Sequence, residues 1–310
     1  MATDYKRGEY VDQYDNRNLT VRQAMNDYIN NRENVIEPTT VRNYRYIAKY
    51  RFDSIADIKL TALRTTDVQR AVNYESNIIS AKYVKNSYAF LKSVLVMYGV
   101  NLNYQSIKIP KQIKNNKPKE LPSFNQIFSI VKGTECELPV LLAAWLSLRI
   151  GEVTGLKYKD IDNKNNLIHI RRTIIYTEQG IEIRESCKTE QSTRDLQLPK
   201  YILDLINKQP HNSQDDFIIT KSRRAVTGKF TRLMNKHGIQ ITFHDLRHLN
   251  ASIMLMLNIP DKYAMERGGW STDHILKSVY QQAFSNERLK VDNIIDEYFN
   301  NIILDNSSEK

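Results

Sequence analysis

Residues 243–252 read FHDLRHLNAS, which places His244, Asp245, Arg247 and His248 at the entrance to an apolar helix. Two chemistries compete for them. His244 and His248 stand four residues apart, so on a helix they share a face and could ligate a metal, with Asp245 where a zinc protease carries glutamate. Alternatively, His244 and Arg247 are donors aimed at a phosphate.

Three other stretches carry residues that could act. In WLSLRIGEVTGLKYKDID, Arg149 closes an apolar run and Glu152 follows one turn later. A carboxylate there can hold the guanidinium so that its fork makes two parallel hydrogen bonds to a phosphate. Asp160 and Asp162 could join Glu152 as metal ligands, although aspartates in a polar turn usually cap it. In ESCKTEQSTRDLQLP the alternating pattern breaks at Lys188 and resumes near Arg194, so Lys188 sits at the mouth of a hairpin, where an ammonium could protonate an oxygen leaving a phosphate. In RGGWSTDHILKSVYQQ, the Trp270 indole has a donor and no acceptor, suiting it to a phosphate neighbour. Tyr280 follows as one of 18 tyrosines, and counting does not select it.

These residues need elements to hold them. LTVRQAMNDYINN opens with a Thr20/Gln23 capping box and runs a stripe of Val21, Ala24, Met25, Tyr28 and Ile29. A second helix follows Pro38 and Thr40 and mixes Arg42, Arg45 and Lys49 with Tyr44, Tyr46 and Tyr50. A third opens at Thr65 or Thr66, and a fourth ends at Gly99 with Lys82, Lys85, Ala89 and Lys92 on one side. The Lys/Pro-rich IKIPKQIKNNKPKE reads as an extended linker, whose Lys108, Lys111 and Lys114 could track a phosphate backbone. Beyond it come a helix from LPSFNQIFSIVKG, the apolar ELPVLLAAWLSLRIGEV, and the alternating LIHIRRTIIY, IEIRES and RDLQLP as one small antiparallel sheet. Helices then resume. The expected class is mainly α with a small antiparallel β-sheet (α+β). The divisions are a tail at 1–18, a helical bundle at 19–105, a linker at 106–120, a second domain at 121–285, and a C-terminal helix and tail at 286–310.

A formal charge of +10 over 310 residues makes a polyanion an economical partner, because each neutralised phosphate releases a counterion. Two cysteines without a C-x-x-C pair suggest neither zinc ribbon nor disulfide framework and fit a reducing cytoplasm. There is no apolar run of the ~20 residues that spans a bilayer, so no membrane partner is expected.

In this order the pieces resemble the tyrosine recombinase family, the phage-type integrases, from about Leu19 to Ala283. LRIGEVTGLKYKDID looks like the family's first arginine segment, which implies Arg149 as a phosphate clamp and Glu152 as its support. KTEQSTR is similar to the hairpin of the catalytic lysine, here Lys188. HDLRH matches the histidine and arginine box, giving His244, Arg247 and the helper His248. Trp270 takes the place of a histidine or tryptophan, and Tyr280 falls where the nucleophile is expected, one residue further on than the family's usual spacing.

The resemblance implies a helical core-binding bundle and a catalytic domain forming a clamp around double-stranded DNA. It further implies cleavage and rejoining through a 3'-phosphotyrosyl link, with no cofactor or metal, and integration or excision of a phage or mobile element. In the basic stretches Arg42, Arg45, Lys49, Lys82, Lys85, Lys92, Lys108, Lys111 and Lys114 become DNA contacts. The apolar stripe Val291, Ile294, Ile295, Tyr298, Phe299 and Ile302 must be buried somewhere; the resemblance implies a C-terminal helix docking on a neighbouring protomer in a tetramer, with docking on its own domain as the alternative. An excision factor or host DNA-bending protein would be the accessory partner. About 18 residues precede the bundle, so the chain reads as a simple recombinase or as one lacking the arm-site domain that many members carry. The alternatives are a type IB topoisomerase and an inactive recombinase-like DNA-binding regulator. Between metal and phosphate at His244, the permanent charge of Arg247 decides: it repels a divalent cation and attracts a phosphate.

Overall fold

The computed structural model describes residues 18–111, 121–185, 193–272 and 276. The chain divides into two compact units, Met1–Lys114 with Tyr176–Gly180, and Asn115–Ile175 with Ile181–Lys310.

The first unit is a helical bundle. α1 (Val21–Asn30) starts at the expected capping box: the Thr20 hydroxyl accepts from the Gln23 amide, and the Gln23 side chain accepts from the Thr20 amide. Its stripe of Val21, Ala24, Met25 and Ile29 is buried. α2 (Pro38–Tyr50) places proline in its first turn, where the missing N–H costs nothing. Its Tyr44 stacks on buried Phe90 of α4 (Ala81–Met97), with ring centroids 4.0 Å apart. α3 (Thr65–Ile78) starts at the first of its two expected threonines. Arg64 occupies the cap position, and the Asp67 carboxylate reaches back to accept from the Arg64 amide at 3.1 Å. α4 is capped by Ser80 and stopped at Gly99, whose φ of 66° a side chain would resist. The supposed linker starts as part of this unit. Ile107 is buried in the bundle core, and the Lys108 backbone exchanges two hydrogen bonds with the Gln69 side chain.

In the second unit, α5 (Phe124–Val131) opens with a Ser123/Gln126 capping box. The apolar run after it is two helices rather than one. α6 (Glu137–Ala144) is buried on all sides, whereas α7 (Ile150–Gly155) is short and starts afresh after a turn in which Ser147 has φ 60°. Arg149 is therefore the N-cap of α7, not the end of an apolar helix.

The strands likewise form two sheets, not one. β1 (Ile161–Asp162), β2 (Leu167–Ile170) and β5 (Arg194–Gln197) pair antiparallel in the order β1-β2-β5, and β3 (Thr173–Thr177) pairs with β4 (Gly180–Arg184). The break falls at Arg172, which turns inward at 5% exposure to meet Asp160 and Glu185. Asp160 also accepts from the Lys157 amide, and Asp162 caps the turn at Lys164 and Asn165. α8 (Lys200–Asn207), α9 (Arg223–Lys236), α10 (Asp245–Met256) and α11 (Asp261–Gly268) complete the described part. The architecture is mainly helical with small antiparallel sheets.

Candidate active site

The site grows from the start of α7. Arg149 caps the helix while the Glu152 side chain turns back, accepting from the Arg149 amide at 3.0 Å and from its Nη1 at 2.7 Å. Glu152 also accepts from Arg194 Nη2 at 3.1 Å. Burial alone would push this carboxyl up, but Arg194, Arg149 and Arg247 outweigh it and hold the carboxyl below its ordinary value. One buried negative charge thus organises three guanidiniums, leaving a net positive field suited to an anion.

α10 contributes the second arginine. Arg247 is 3% exposed; its Nη1 donates to the Ser147 carbonyl, and its Nη2 to the Gly268 carbonyl at 2.8 Å. Arg149 Nη2 donates to the next carbonyl, that of Gly269, at 2.7 Å. Successive carbonyls at the end of α11 therefore aim both guanidiniums. The two glycines have separate reasons: Gly269 has φ 62°, and a Cβ on Gly268 would lie 2.3 Å from the Trp270 ring. Burial, followed by the nearby Arg149, lowers the Arg247 pKa to about 9, which leaves it charged at neutral pH.

Trp270 is 6% exposed, and the Arg247 guanidinium lies 5.1 Å from its ring centre. His244 precedes α10 and meets His248 edge to face at 4.9 Å. Desolvation by the surrounding protein, with His248 and Arg247 beside it, holds His244 below its ordinary value. That direction favours the neutral imidazole, the form able to accept a proton. Asp245 is occupied as a cap, accepting from the Thr242 amide at 2.6 Å and its hydroxyl at 2.8 Å. Among the described residues, no group of three His, Cys, Asp or Glu side chains is placed to hold a metal.

The structure thus brings together Arg149, Glu152, His244, Arg247, His248 and Trp270 from three separate stretches. Lys188, Tyr280, Lys114 and the C-terminal stripe lie outside the described residues. Of the basic residues singled out in the first unit, Arg42, Lys82, Lys85, Lys108 and Lys111 are exposed. Lys49 lies over the Tyr50 ring and Lys92 over the Tyr104 ring, while Arg45 is already paired with Glu33. Sequence reasoning missed Arg194. Its signal was present, since strand alternation puts it on the inward face with Leu196, where a charged residue requires a partner.

Residues 114–287, more than half of the chain, match the phage integrase family. The integrase of Staphylococcus phage L54a is 25% identical over 294 residues, covering 78% of this chain and 82% of that protein. A XerC-like tyrosine recombinase of Caldanaerobacter subterraneus subsp. tengcongensis is 22% identical over 287 residues, covering 78% and 73%. Among solved structures, the Tn1549 transposon integrase in complex with a circular intermediate DNA superposes with a TM-score of 0.68 at 18% identity, over 87% of this chain and 99% of that one. A lambda integrase tetramer bound to a Holliday junction gives 0.61 at 17%, over 87% and 83%. With its arginines gathered on one carboxylate and its sequence matched over residues 114–287, the chain belongs to the phage integrase family and is a tyrosine site-specific recombinase.

Proposed function

We propose that the chain integrates or excises a phage or other mobile element by attack of Tyr280 on a DNA phosphodiester. The tyrosine oxygen bonds to phosphorus as the bond to the 5'-oxygen breaks. His244 takes the phenol proton, and Lys188 gives a proton to the departing oxygen. A 5'-hydroxyl from the partner strand then reverses these steps, so one phosphoester replaces another and no external energy source enters.

The observation that carries this reading is the arginine cluster organised by one buried carboxylate. A phosphodiester resists nucleophiles because of its own charge, and fixed donors stabilise the added charge of the five-coordinate transition state without reorganising. Arg149, with its side chain 39% exposed, is the more accessible guanidinium, its Nη1 and Nη2 aimed by Glu152 and the Gly269 carbonyl. Arg247 lies behind it, and there its charge acts on a phosphate with little solvent screening. Trp270 packs against Arg247 and would donate its indole hydrogen. His248 buttresses His244.

The DNA is double-stranded, and the exposed basic residues of α2 and α4 would supply phosphate contacts from the first unit while the second performs the chemistry, the two closing on the duplex as a clamp. The active assembly is a tetramer joined through the C-terminal helix, aided by an excision factor or DNA-bending protein and working in the cytoplasm. No helix of the described residues is long and apolar enough to cross a membrane. Tyr280→Phe tests the assignment. It should retain DNA binding and form no covalent adduct with nicked DNA on a denaturing gel; an undiminished adduct removes Tyr280 from the role.

A further inference from the structure

We propose that Asn250 is a positioning residue that fixes the separation of the two guanidiniums by latching the turn between α6 and α7; the inference rests on the phosphate role given to Arg149 and Arg247 above. α6 ends at Ala144, and Arg149 follows only after a turn through Trp145, Leu146, Ser147 and Leu148. Ser147 is fully buried at φ 60°, a region that non-glycine residues adopt at a cost, and its hydroxyl is a buried group without a hydrogen-bond partner. The turn is therefore not held by its own side chain there.

It is held from α10 and α11. Asn250 Nδ2 donates to the carbonyls of Ala144 at 2.8 Å and Trp145 at 3.1 Å. Arg267 Nη2 adds a second donor to the Trp145 carbonyl at 3.1 Å, and Arg247 Nη1 grips that of Ser147. Asn250 follows Arg247 by three residues, so both project from one face of α10 onto the same turn. At 5% exposure, Asn250 leaves its Oδ1 buried without a partner. Reversing the amide would aim that oxygen at two carbonyl oxygens, so its orientation is forced. A residue that leaves its own acceptor unsatisfied in order to bind two carbonyls is there for the turn. Removing it strands those carbonyls and lets the turn relax. The Ser147 carbonyl then shifts from Arg247, and with it the start of α7 that carries Arg149.

The test uses the full chain and a nicked duplex selected from a random-sequence library by its adduct with the wild-type protein. Asn250→Leu keeps the branched skeleton of the side chain and removes the donor. It should form adduct about 10- to 100-fold more slowly at saturating DNA, the scale of a misplaced reacting geometry, with affinity for the duplex changed less than about 3-fold. Asn250→Ser, which restores a donor, should recover part of the rate. So should Ser147→Gly in the Asn250→Leu background, because glycine holds the turn's φ without strain. With a neutral methylphosphonate at the scissile position, the defect should vanish, since the guanidiniums then have less charge to meet. Wild-type rates in Asn250→Leu, or an equal slowing on both phosphates, overturn the latch alone. A wild-type chain that forms no adduct on any duplex overturns both the latch and the reading beneath it. Should Asn250→Leu fail to fold, Asn250→Gln decides: slower cleavage at unchanged affinity supports the latch, and a wild-type rate overturns it.

Discussion

Glu152 is the residue whose loss separates charge from shape. It is 2% exposed and accepts from two arginines, so Glu152→Gln leaves guanidiniums facing one another without their common counter-charge. Breaking such a buried arrangement costs about 3 kcal/mol, and cleavage should fall with it because Arg149 loses its anchor. The pH dependence has a definite sign. The folded carboxyl titrates below its ordinary 4.5, so its contribution is complete above that value and is lost as pH falls through the lower folded value. Thermal melts should therefore show wild type well above Glu152→Gln at pH 7 and the gap closing only below 4.5. A gap that persists unchanged in acid would mean that Glu152 acts through packing. At this scale part was legible: the types and spacing of Arg149, Glu152, His244 and Arg247 marked them as candidates, and the ordered resemblance, not any one motif, gave them roles. The carbonyl acceptors of Ser147, Gly268 and Gly269 were not legible, because any residue supplies a carbonyl and only the fold decides where it points.

At the scale of elements, α7 governs the site because Arg149 caps it and Glu152 lies in its first turn. It lies so close to β3 that a Cβ on Gly151 would stand 2.4 Å from Thr173 Oγ1 and 2.9 Å from the Ile174 carbonyl oxygen. The second contact is backbone and cannot rotate away. Gly151→Ala must push α7 off the strand, at about 2 kcal/mol for overpacking, and should slow adduct formation more than it weakens DNA binding. An alanine variant with wild-type melting and cleavage would show that α7 has room the structure does not give it. Capped, periodic helices such as α1 and α5 could be read from the chain because their start signals are local. The division of ELPVLLAAWLSLRIGEV into two helices could not, since the turn between them is held by side chains of α10 and α11 a hundred or more residues away. The single expected sheet became two for a similar reason, Arg172 being drawn inward by Asp160 and Glu185.

At the scale of the whole molecule, charge and assembly can be separated experimentally. Lys82, Lys85 and Lys92 lie exposed along α4. If they bind phosphates, replacing all three with glutamine should flatten the salt dependence of duplex affinity by about 0.9 in log–log slope per lost contact; an unchanged slope makes them a solvated face. Assembly depends on apolar surface instead. Met256, Leu257 and Tyr263 are each about 60% exposed around the turn between α10 and α11, a cluster of large apolar groups that water does not favour. If the stripe from Val291 to Ile302 of a neighbouring copy seats on this surface in the proposed tetramer, the two are halves of one contact. Ending the chain at Asn286 and replacing Leu257 with glutamate remove opposite halves of one contact. Each should weaken cooperative assembly on paired sites by a similar amount while single-site binding persists, and combining them should lose no more than either alone. Additive losses in the double variant would assign the tail and the patch to different partners.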